Sequence, residues 1–184
     1  MPQETKAAKR LKMINFLDIS YLKTGTERQR KAYRVLTERA ILENLAQYNP
    51  IFTGTIPINI DIENSDLDII CYAQDDKKFE NDLTYHFKHE RGFNIKENKK
   101  FSALKANFFI DDFEIEIFGQ NIPTKQQNAY RHMLIEHKIL QEKGEDFRMK
   151  IIELKKQGHK TEPAFTRLLN LQGDPYEALL RMQI

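Results

Sequence analysis

The chain has 184 residues, of which 40% are hydrophobic and 30% are charged, and its formal net charge is +2. This length and composition are typical of one globular domain with a substantial core, and they exclude a low-complexity chain. The single cysteine, Cys71, cannot form an internal disulfide, and no apolar stretch approaches 18 residues. Since the N-terminus also lacks a signal-peptide core, we expect a cytoplasmic protein that makes no membrane contact.

The charges are unevenly distributed along the chain. Residues 1–48 carry 10 Lys and Arg against 5 Asp and Glu, residues 49–124 carry 8 against 14, and residues 125–184 carry 11 against 8. An acidic centre between basic segments suits a metal-bound polyphosphate, with carboxylates for the cation and basic side chains for the phosphates. Acidic turns between basic helices explain the same numbers, so both interpretations stay open.

The chain is predicted to begin with a basic arm at 1–16, a helical turn at 18–22 and a long helix at about 26–48. Thr26 is a suitable N-cap for that helix, and Pro50 ends it. A first strand follows over residues 51–55. It ends at Gly54 and Thr55, where glycine allows a close approach to the backbone.

Two aspartates, Asp66 and Asp68, open an apolar strand predicted over residues 66–72. Side chains alternate along a strand, so both carboxylates project from one face, about 7 Å or less apart, while Leu67 anchors the other. Two like charges 4 Å apart repel by roughly 4 kcal/mol at an effective dielectric of 20, and a divalent cation relieves that repulsion. Oxygen-only ligands favour Mg²⁺ or Mn²⁺. A solvated acidic edge is the alternative.

A helix is predicted over about residues 79–91, ending at Gly92, and an acidic hairpin follows it. Its strands are residues 101–110 and 113–118, and alternation pairs Phe108 with Ile115. The predicted apolar face carries Leu104, Ala106, Phe108, Ile110, Phe113, Ile115 and Ile117. The predicted polar face carries Lys105, Asn107, Glu114 and Glu116. A diagonal ion pair between Lys105 and Glu116 on an exposed face is the alternative to a catalytic role for the glutamates.

After Pro123 the chain is predicted to be helical, with helices at 126–142, at 145–157, from 162 and from 175. The first of these is predicted to bury one face made of Tyr130, Met133, Leu134, His137 and Leu140. The fold class is therefore α+β. We expect a small mixed β-sheet backed by helices in residues 1–124, and a C-terminal helical segment in residues 125–184 packed on it as one compact unit.

Together, three features resemble the nucleotidyltransferase superfamily with the DNA polymerase beta-like palm. They are the pair Gly54 and Thr55, the aspartates that begin eleven residues later, and a later strand with Glu116 or Glu114. The superfamily resemblance covers residues 51–120. The segments 54–58, 116–120, 130–133 and 161–165 look like an uncharacterised bacterial branch of the superfamily, over roughly residues 21–180.

The resemblance implies metal-dependent transfer of a nucleoside monophosphate from an NTP, with ATP expected, to a hydroxyl acceptor on a small molecule, a nucleic acid or a protein. Asp66, Asp68 and Glu116 would then be catalytic and would hold Mg²⁺ or Mn²⁺, with Glu114 as the alternative third ligand. The nucleotide-binding candidates are Gly54, Thr55, Lys105 and Arg131. Arg131 is included because a guanidinium binds oxyanions in a forked geometry.

Two other functions are compatible with the same residues. The first is a non-catalytic, nucleotidyltransferase-like protein that binds a nucleotide or RNA as a sensor. The second is a protein-interaction module, in which the basic helices contact another macromolecule. Metal-dependent nucleotide binding without turnover would favour the first, and a stable complex without nucleotide affinity would favour the second.

Overall fold

The structure, a computed structural model, describes residues 14–182, and a mixed five-stranded sheet forms its centre. The strands are β1 Ile51–Thr53, β2 Leu67–Tyr72, β3 Arg91–Asn98, β4 Ala103–Ile110 and β5 Phe113–Gln120. Their spatial order is β1-β2-β5-β4-β3. The strands β2 and β5 are parallel neighbours, whereas the other pairs are antiparallel. The α+β class predicted from the sequence, with a mixed sheet backed by helices, is confirmed.

The hairpin of β4 and β5 has the register that the alternating sequence predicts. Phe108 pairs with Ile115 and Ala106 with Ile117, and the chain turns at Asp111, whose φ is 51°. These apolar side chains are buried, whereas Glu116 on the opposite face is only partly buried. A shift by one residue would bury the glutamates, so burial of the apolar face determines which carboxylates lie on the other side.

Seven α-helices lie within residues 14–182: α1 Glu27–Glu38, α2 Ile41–Asn44, α3 Asp76–Phe87, α4 Asn128–Lys143, α5 Glu145–Lys156, α6 Thr161–Leu168 and α7 Pro175–Leu180. Short 3₁₀ segments occur at Ile19–Thr24, Ala46–Tyr48 and Thr124–Gln126. A capping box starts α1, because Thr26 Oγ1 accepts a hydrogen bond from the Gln29 N–H and the Gln29 side chain accepts one from the Thr26 N–H. The basic arm predicted at 1–16 lies largely outside the described residues.

The prediction of one long helix over residues 26–48 is wrong in its second half. The helix α1 ends at Glu38, and Ala40 adopts a left-handed conformation with a φ of 49°. A right-handed helix cannot continue through such a residue. The chain restarts as α2 and then forms the 3₁₀ segment Ala46–Tyr48. Since no glycine or proline marks this break, propensity and periodicity alone predict a continuous helix.

The strand β3 was not predicted, and part of it was assigned to the end of a helix. The preceding helix, α3, ends at Phe87, and Gly92 lies inside β3 with a φ of 72°. The strand is at the edge of the sheet, and only Phe93 and Ile95 pack against the core. An edge strand with so few buried side chains has little apolar alternation to detect.

Two clusters of buried apolar residues join these elements. The first combines the sheet with α1 and α3, and it includes Phe52, Phe79 and Phe108. The second combines the helices α4–α7 with Ile58 and Ile60, which belong to the connection between β1 and β2. The C-terminal helices therefore pack on the connection that leads to the acidic strand. Within the described part of the chain, no helix combines the length and the hydropathy that crossing a membrane requires.

Candidate active site

Three carboxylates meet where β2 and β5 run side by side. Asp68 in β2 pairs directly with Glu116 in β5, and Asp66 directly precedes β2, two residues before Asp68. Each of the three side chains offers an oxygen that lies within 4.8 Å of the oxygens of the other two. Leu67 and Ile69, which alternate with the aspartates, are buried on the opposite face. The structure thus brings together the three residues that the sequence singles out as metal ligands.

The environment of this triad opposes the ionisation of both aspartates. Burial, followed by the charges of Asp66 and Glu116, raises the pKa of Asp68 well above its ordinary value. Burial, followed by the charges of Glu116 and Glu114, raises the pKa of Asp66. Within residues 14–182, neither aspartate forms an ion pair. A cluster of three carboxylates, two of them without an ion pair within residues 14–182, fits Mg²⁺ or Mn²⁺, since both cations prefer oxygen ligands.

The remaining polar side chains of the hairpin contact the two glutamates. Lys105 Nζ lies 2.9 Å from Glu116 Oε2, which is the diagonal pair considered from the sequence, and this contact raises the pKa of Lys105. Asn107 Nδ2 donates a 2.9 Å hydrogen bond to Glu114 Oε1. Glu116, rather than Glu114, therefore belongs to the cluster with the two aspartates.

Gly54 directly follows β1 and lies against Asp68. Its φ is +84°, and an added Cβ would lie 2.2 Å from Asp68 Oδ2. Glycine alone meets both conditions without strain. The neighbouring Thr55 places its Oγ1 3.3 Å from Ser65 Oγ, so the hydroxyl contacts the loop to which it belongs. The chain here approaches the triad through backbone rather than through a side chain.

The β1–β2 loop (residues 54–66) is held from one side by the first turn of α1. Arg28 Nη2 donates a 2.7 Å hydrogen bond to the Ser65 carbonyl, and Arg28 Nε lies 3.5 Å from Asp61 Oδ2. Gln29 Nε2 donates a 2.8 Å hydrogen bond to the Ile56 carbonyl. These contacts satisfy backbone acceptors that a partly buried loop would otherwise leave unpaired.

The helix α5 holds the β1–β2 loop through two further cations. Arg148 Nη1 donates to the Asn59 carbonyl at 3.0 Å, and Lys155 Nζ donates to the Ile60 carbonyl at 2.8 Å. Burial lowers the pKa of Lys155 to about 8, although the charge of Glu136 opposes that shift. Neither contact is apparent in the sequence, because 89 and 95 residues separate the partners.

Two residues of the triad, Asp68 and Glu116, line a cavity of about 430 Å³. We call one side the sheet face; it consists of Thr53, Gly54, Thr55, Asp68, Glu116 and Phe118. We call the other side the helical wall; it consists of Gln127, His132, Met133, Glu136 and Glu162. Arg131 is outside the lining, on the exposed side of α4, where its Nη1 lies 3.3 Å from Asn128 Oδ1. Its contact with a phosphate stays a prediction.

The helical wall contains polar groups that the sequence did not single out. Glu136 is only 4% exposed, and its pKa is raised to about 8 by burial and by the charge of Glu162. His132 is also buried; its Nε2 lies 2.9 Å from the Tyr176 carbonyl and its Nδ1 lies 3.7 Å from Glu162 Oε1. The carbonyl can only accept, so Nε2 carries the proton in this contact.

The buried face of α4 differs from the face predicted. Met133 and Leu140 are buried as expected, but Leu134 is 38% exposed, and Glu136 takes a central place on the buried side. The signal that points to Glu136 is its helical spacing, since it lies three residues after Met133 and four residues before Leu140. A carboxylate on the buried stripe of a helix indicates either a paired charge or a binding site.

The sequence also matches a family model. The model of the family described as Domain of unknown function (DUF4269) matches residues 34–182. The chain belongs to this family. The matched DUF4269 region includes all five strands, the triad and the helical wall. No curated protein matches the sequence.

Several solved structures share the fold of this DUF4269 chain. Cid1, in a structure concerned with its RNA terminal uridylyl transferase activity, matches with a TM-score of 0.52 and 11% identity over 71% of this chain and 41% of that chain. The GLD-2/RNP-8 complex matches with a TM-score of 0.53 and 16% identity over 82% and 61%. The polymerase core of TRAMP, an RNA surveillance complex, matches with a TM-score of 0.52 and 11% identity over 88% and 50%.

These three likenesses show the palm-like fold of nucleotidyltransferases, and they confirm the resemblance found in the sequence at the level of the fold. The chain spans only 41 to 61% of the length of the matched chains. With identities of at most 16%, they show nothing about the substrates of this protein. The bacterial branch of the superfamily stays a prediction.

Proposed function

We propose that this protein is a metal-dependent nucleotidyltransferase that moves a nucleoside monophosphate from an NTP, expected to be ATP, to a hydroxyl acceptor. The observation that carries the proposal is the triad of Asp66, Asp68 and Glu116, whose oxygens lie within 4.8 Å of one another in a nucleotidyltransferase fold. Clustered, partly buried carboxylates are costly unless a cation neutralises them. Their presence beside Gly54 therefore favours a working metal site over a structural one.

In this proposal, Asp66, Asp68 and Glu116 hold Mg²⁺ or Mn²⁺, and Glu114 is the alternative third ligand. When bound, the cation neutralises charge on the reacting phosphate and makes the acceptor hydroxyl more acidic. The turn at Gly54 and Thr55 binds the triphosphate through backbone N–H groups, which a side chain at residue 54 would obstruct. Such backbone donors recognise phosphate without a basic residue in the cavity.

The proposed reaction is a substitution at the α-phosphorus of the NTP. The acceptor oxygen forms a bond to the α-phosphorus while the bond from that phosphorus to the pyrophosphate oxygen breaks, and pyrophosphate leaves with the electron pair. Glu116 lines the cavity and takes the proton of the acceptor hydroxyl. The 2.9 Å ion pair with Lys105 orients this carboxylate.

A labelling assay tests this proposal. The protein is incubated with each α-³²P-labelled NTP, Mg²⁺ or Mn²⁺, and a cell extract as the source of acceptors. The variant Asp66→Asn/Asp68→Asn removes two carboxylates of the triad, whereas Asp111→Asn/Asp112→Asn removes two exposed carboxylates of the hairpin turn as the matched control. Label on an acceptor with the wild type and the control, but not with the triad variant, is expected. Equal labelling by all three proteins would contradict the proposal.

The Lys105–Glu116 ion pair favours a second candidate function, nucleotide or RNA binding without catalysis. A lysine 2.9 Å from a triad carboxylate competes with a cation for that ligand. Under this alternative, the same proteins bind an NTP in a metal-dependent way and transfer no label with any nucleotide. Transfer by the wild type would exclude it.

A further inference from the structure

Two buried side-chain oxygens of the helical wall have no hydrogen-bond partner within the described part of the chain, residues 14–182. Gln127 is 1% exposed, and its Nε2 donates to the carbonyls of Cys71 at 2.9 Å and Ile122 at 2.8 Å. These two bonds fix the orientation of the amide, because only the nitrogen can donate. Gln127 Oε1 is then a buried acceptor and Glu136 Oε1 a buried carboxyl oxygen, and no group in residues 14–182 forms a hydrogen bond with either atom.

Buried oxygens without hydrogen-bond partners, on residues that line a cavity, indicate which class of ligand the cavity suits. Leaving one such group unpaired costs about 1–3 kcal/mol. Gln127 immediately precedes α4 and Glu136 lies nine residues later, which separates them by roughly 13 Å along the helix. Both residues line the cavity. A small ligand therefore reaches only one of them, and the Glu136 oxygen, which has the carboxylate of Glu162 nearby, is the one that suits an ammonium donor.

The charge of the lining supports the same conclusion. Four carboxylates line the cavity, those of Asp68, Glu116, Glu136 and Glu162, and no lysine or arginine among the described residues does. A metal bound by the triad neutralises the first two and leaves the pair on the helical wall. The buried Lys155 is close enough to affect the pKa of Glu136, but its Nζ donates to the Ile60 carbonyl and it does not line the cavity.

We infer that the hydroxyl acceptor is a small amine-bearing molecule, whose ammonium group is bound by Glu136 and Glu162 while its hydroxyl faces the triad. This inference rests on the proposed function and narrows the three acceptor classes that the sequence left open. A nucleic acid is disfavoured, because the backbone N–H groups at Gly54 and Thr55 are taken by the triphosphate in the proposed function and further phosphates would lie against an acidic lining without Lys or Arg. A cavity of about 430 Å³ suits a small molecule.

Binding of such a ligand has an electrostatic consequence. An ammonium group beside Glu136 favours the ionised carboxylate, so the pKa of Glu136 falls from its value of about 8 when the ligand binds. The carboxyl then releases a proton. Titration calorimetry at pH 7.5 in two buffers with different ionisation enthalpies detects that release, and a ligand recognised through neutral groups gives none.

Binding of 1,3-diamino-2-propanol tests the inference, with glycerol as the matched probe because hydroxyls replace both amines. The full chain is titrated by NMR with each probe and with a six-nucleotide oligoadenylate. The variant Glu136→Gln/Glu162→Gln removes the acidic pair, and Glu142→Gln/Glu153→Gln removes two exposed glutamates as the control for net charge. We expect the diamine to bind at least 10-fold more tightly than glycerol, and the first variant to lose that preference while the second keeps it.

Other outcomes would overturn the inference. These are equal binding of the diamine and glycerol, a diamine preference that survives in Glu136→Gln/Glu162→Gln, or oligoadenylate binding that exceeds diamine binding. Metal-dependent ATP binding is measured in parallel, with Asp66→Asn/Asp68→Asn as its negative control. Failure of wild-type ATP binding contradicts the proposed function, whereas loss of ATP binding in Glu136→Gln/Glu162→Gln shows that the wall binds the nucleotide instead and overturns the assignment of the acceptor.

Discussion

The sheet face and the helical wall of the cavity are both acidic, but their carboxylates are positioned in different ways. On the sheet face, strand alternation and the pairing of Asp68 with Glu116 bring the triad together. On the helical wall, Glu136 and Glu162 come from different helices and meet only when these pack. Local periodicity therefore determines the proposed chemistry, whereas tertiary packing determines the proposed acceptor contacts.

The largest effect is expected on the sheet face. The variant Asp68→Asn should lower transfer by roughly 100-fold or more, because a metal ligand is lost. The pKa of Asp68 is raised in the folded protein, so its carboxyl costs stability as pH rises above its ordinary value, and the amide removes that cost. We expect the free energy of unfolding at pH 8 to stay equal or to increase. A decrease of more than about 1 kcal/mol in urea unfolding would instead assign Asp68 a structural role.

The second effect concerns the glycine beside the triad. Gly54→Ala should destabilise the protein by about 1–2 kcal/mol through its positive φ, and by more because its Cβ would displace the Asp68 carboxylate. Gly158→Ala is the matched control, since its φ is +95° and nothing lies within 4 Å of the added Cβ. Thermal unfolding of both variants separates the cost of the positive φ, which they share, from the cost of displacing Asp68, which only Gly54→Ala incurs. The transfer assay measures the effect of that displacement on activity. Equal losses of stability would show that the contact with Asp68 contributes nothing.

The third effect tests the helical wall. The folded pKa of Glu136, about 8, exceeds its ordinary value of 4.5, so this carboxyl makes the folded state progressively less stable as pH rises from 4.5 to about 8. Glu136→Gln should therefore match the wild type near pH 4.5 and exceed it by about 2 kcal/mol or more at pH 8. Lys155, whose pKa is lowered to about 8, makes the free energy of unfolding depend on pH only above that pH. Urea unfolding at pH 4.5, 6.5 and 8 measures the difference in the free energy of unfolding between Glu136→Gln and the wild type. A difference that does not change with pH would show that ionisation of the buried carboxyl is not its cause.

The smallest effect is expected at the partly buried ion pair between Lys105 and Glu116, next to the sheet face. Lys105→Met should change the free energy of unfolding by well under 1 kcal/mol, because the partners remain solvated. It should also tighten Mn²⁺ binding by roughly 2- to 5-fold, since Glu116 loses a competing cation. If Lys105 binds phosphate, the affinity for ATP falls at the same time. Unchanged Mn²⁺ affinity would show that the ion pair does not compete with the metal.

Much of the sheet face could be predicted from the sequence, because it depends on the alternation of polar and apolar residues within single strands and one hairpin. The hairpin of β4 and β5 has one register that buries its apolar residues, so Lys105 and Glu116 follow directly. The Asp66–Leu67–Asp68 alternation gives the second strand in the same way. The glycine at residue 54 was identified by its distance from the aspartates, although its contact with Asp68 required the structure.

The remaining features depend on information that periodicity lacks. On α4, helical spacing allows either Leu134 or Glu136 on the buried face, and only the packing of the helix selects Glu136. The break at Ala40 has no glycine or proline to announce it. The hydrogen bonds from Arg148 and Lys155 join segments about 90 residues apart, so nothing near the β1–β2 loop indicates them.

Those long-range bonds also affect when the site can form during synthesis. The loop that carries Gly54 and leads to Asp66 obtains two of its four helix-derived anchors from α5. A nascent chain on the ribosome thus exposes its acidic strands well before the residues that fix their connection have left the exit tunnel. The β1–β2 loop should consequently reach its final conformation late in translation, once Lys155 is available.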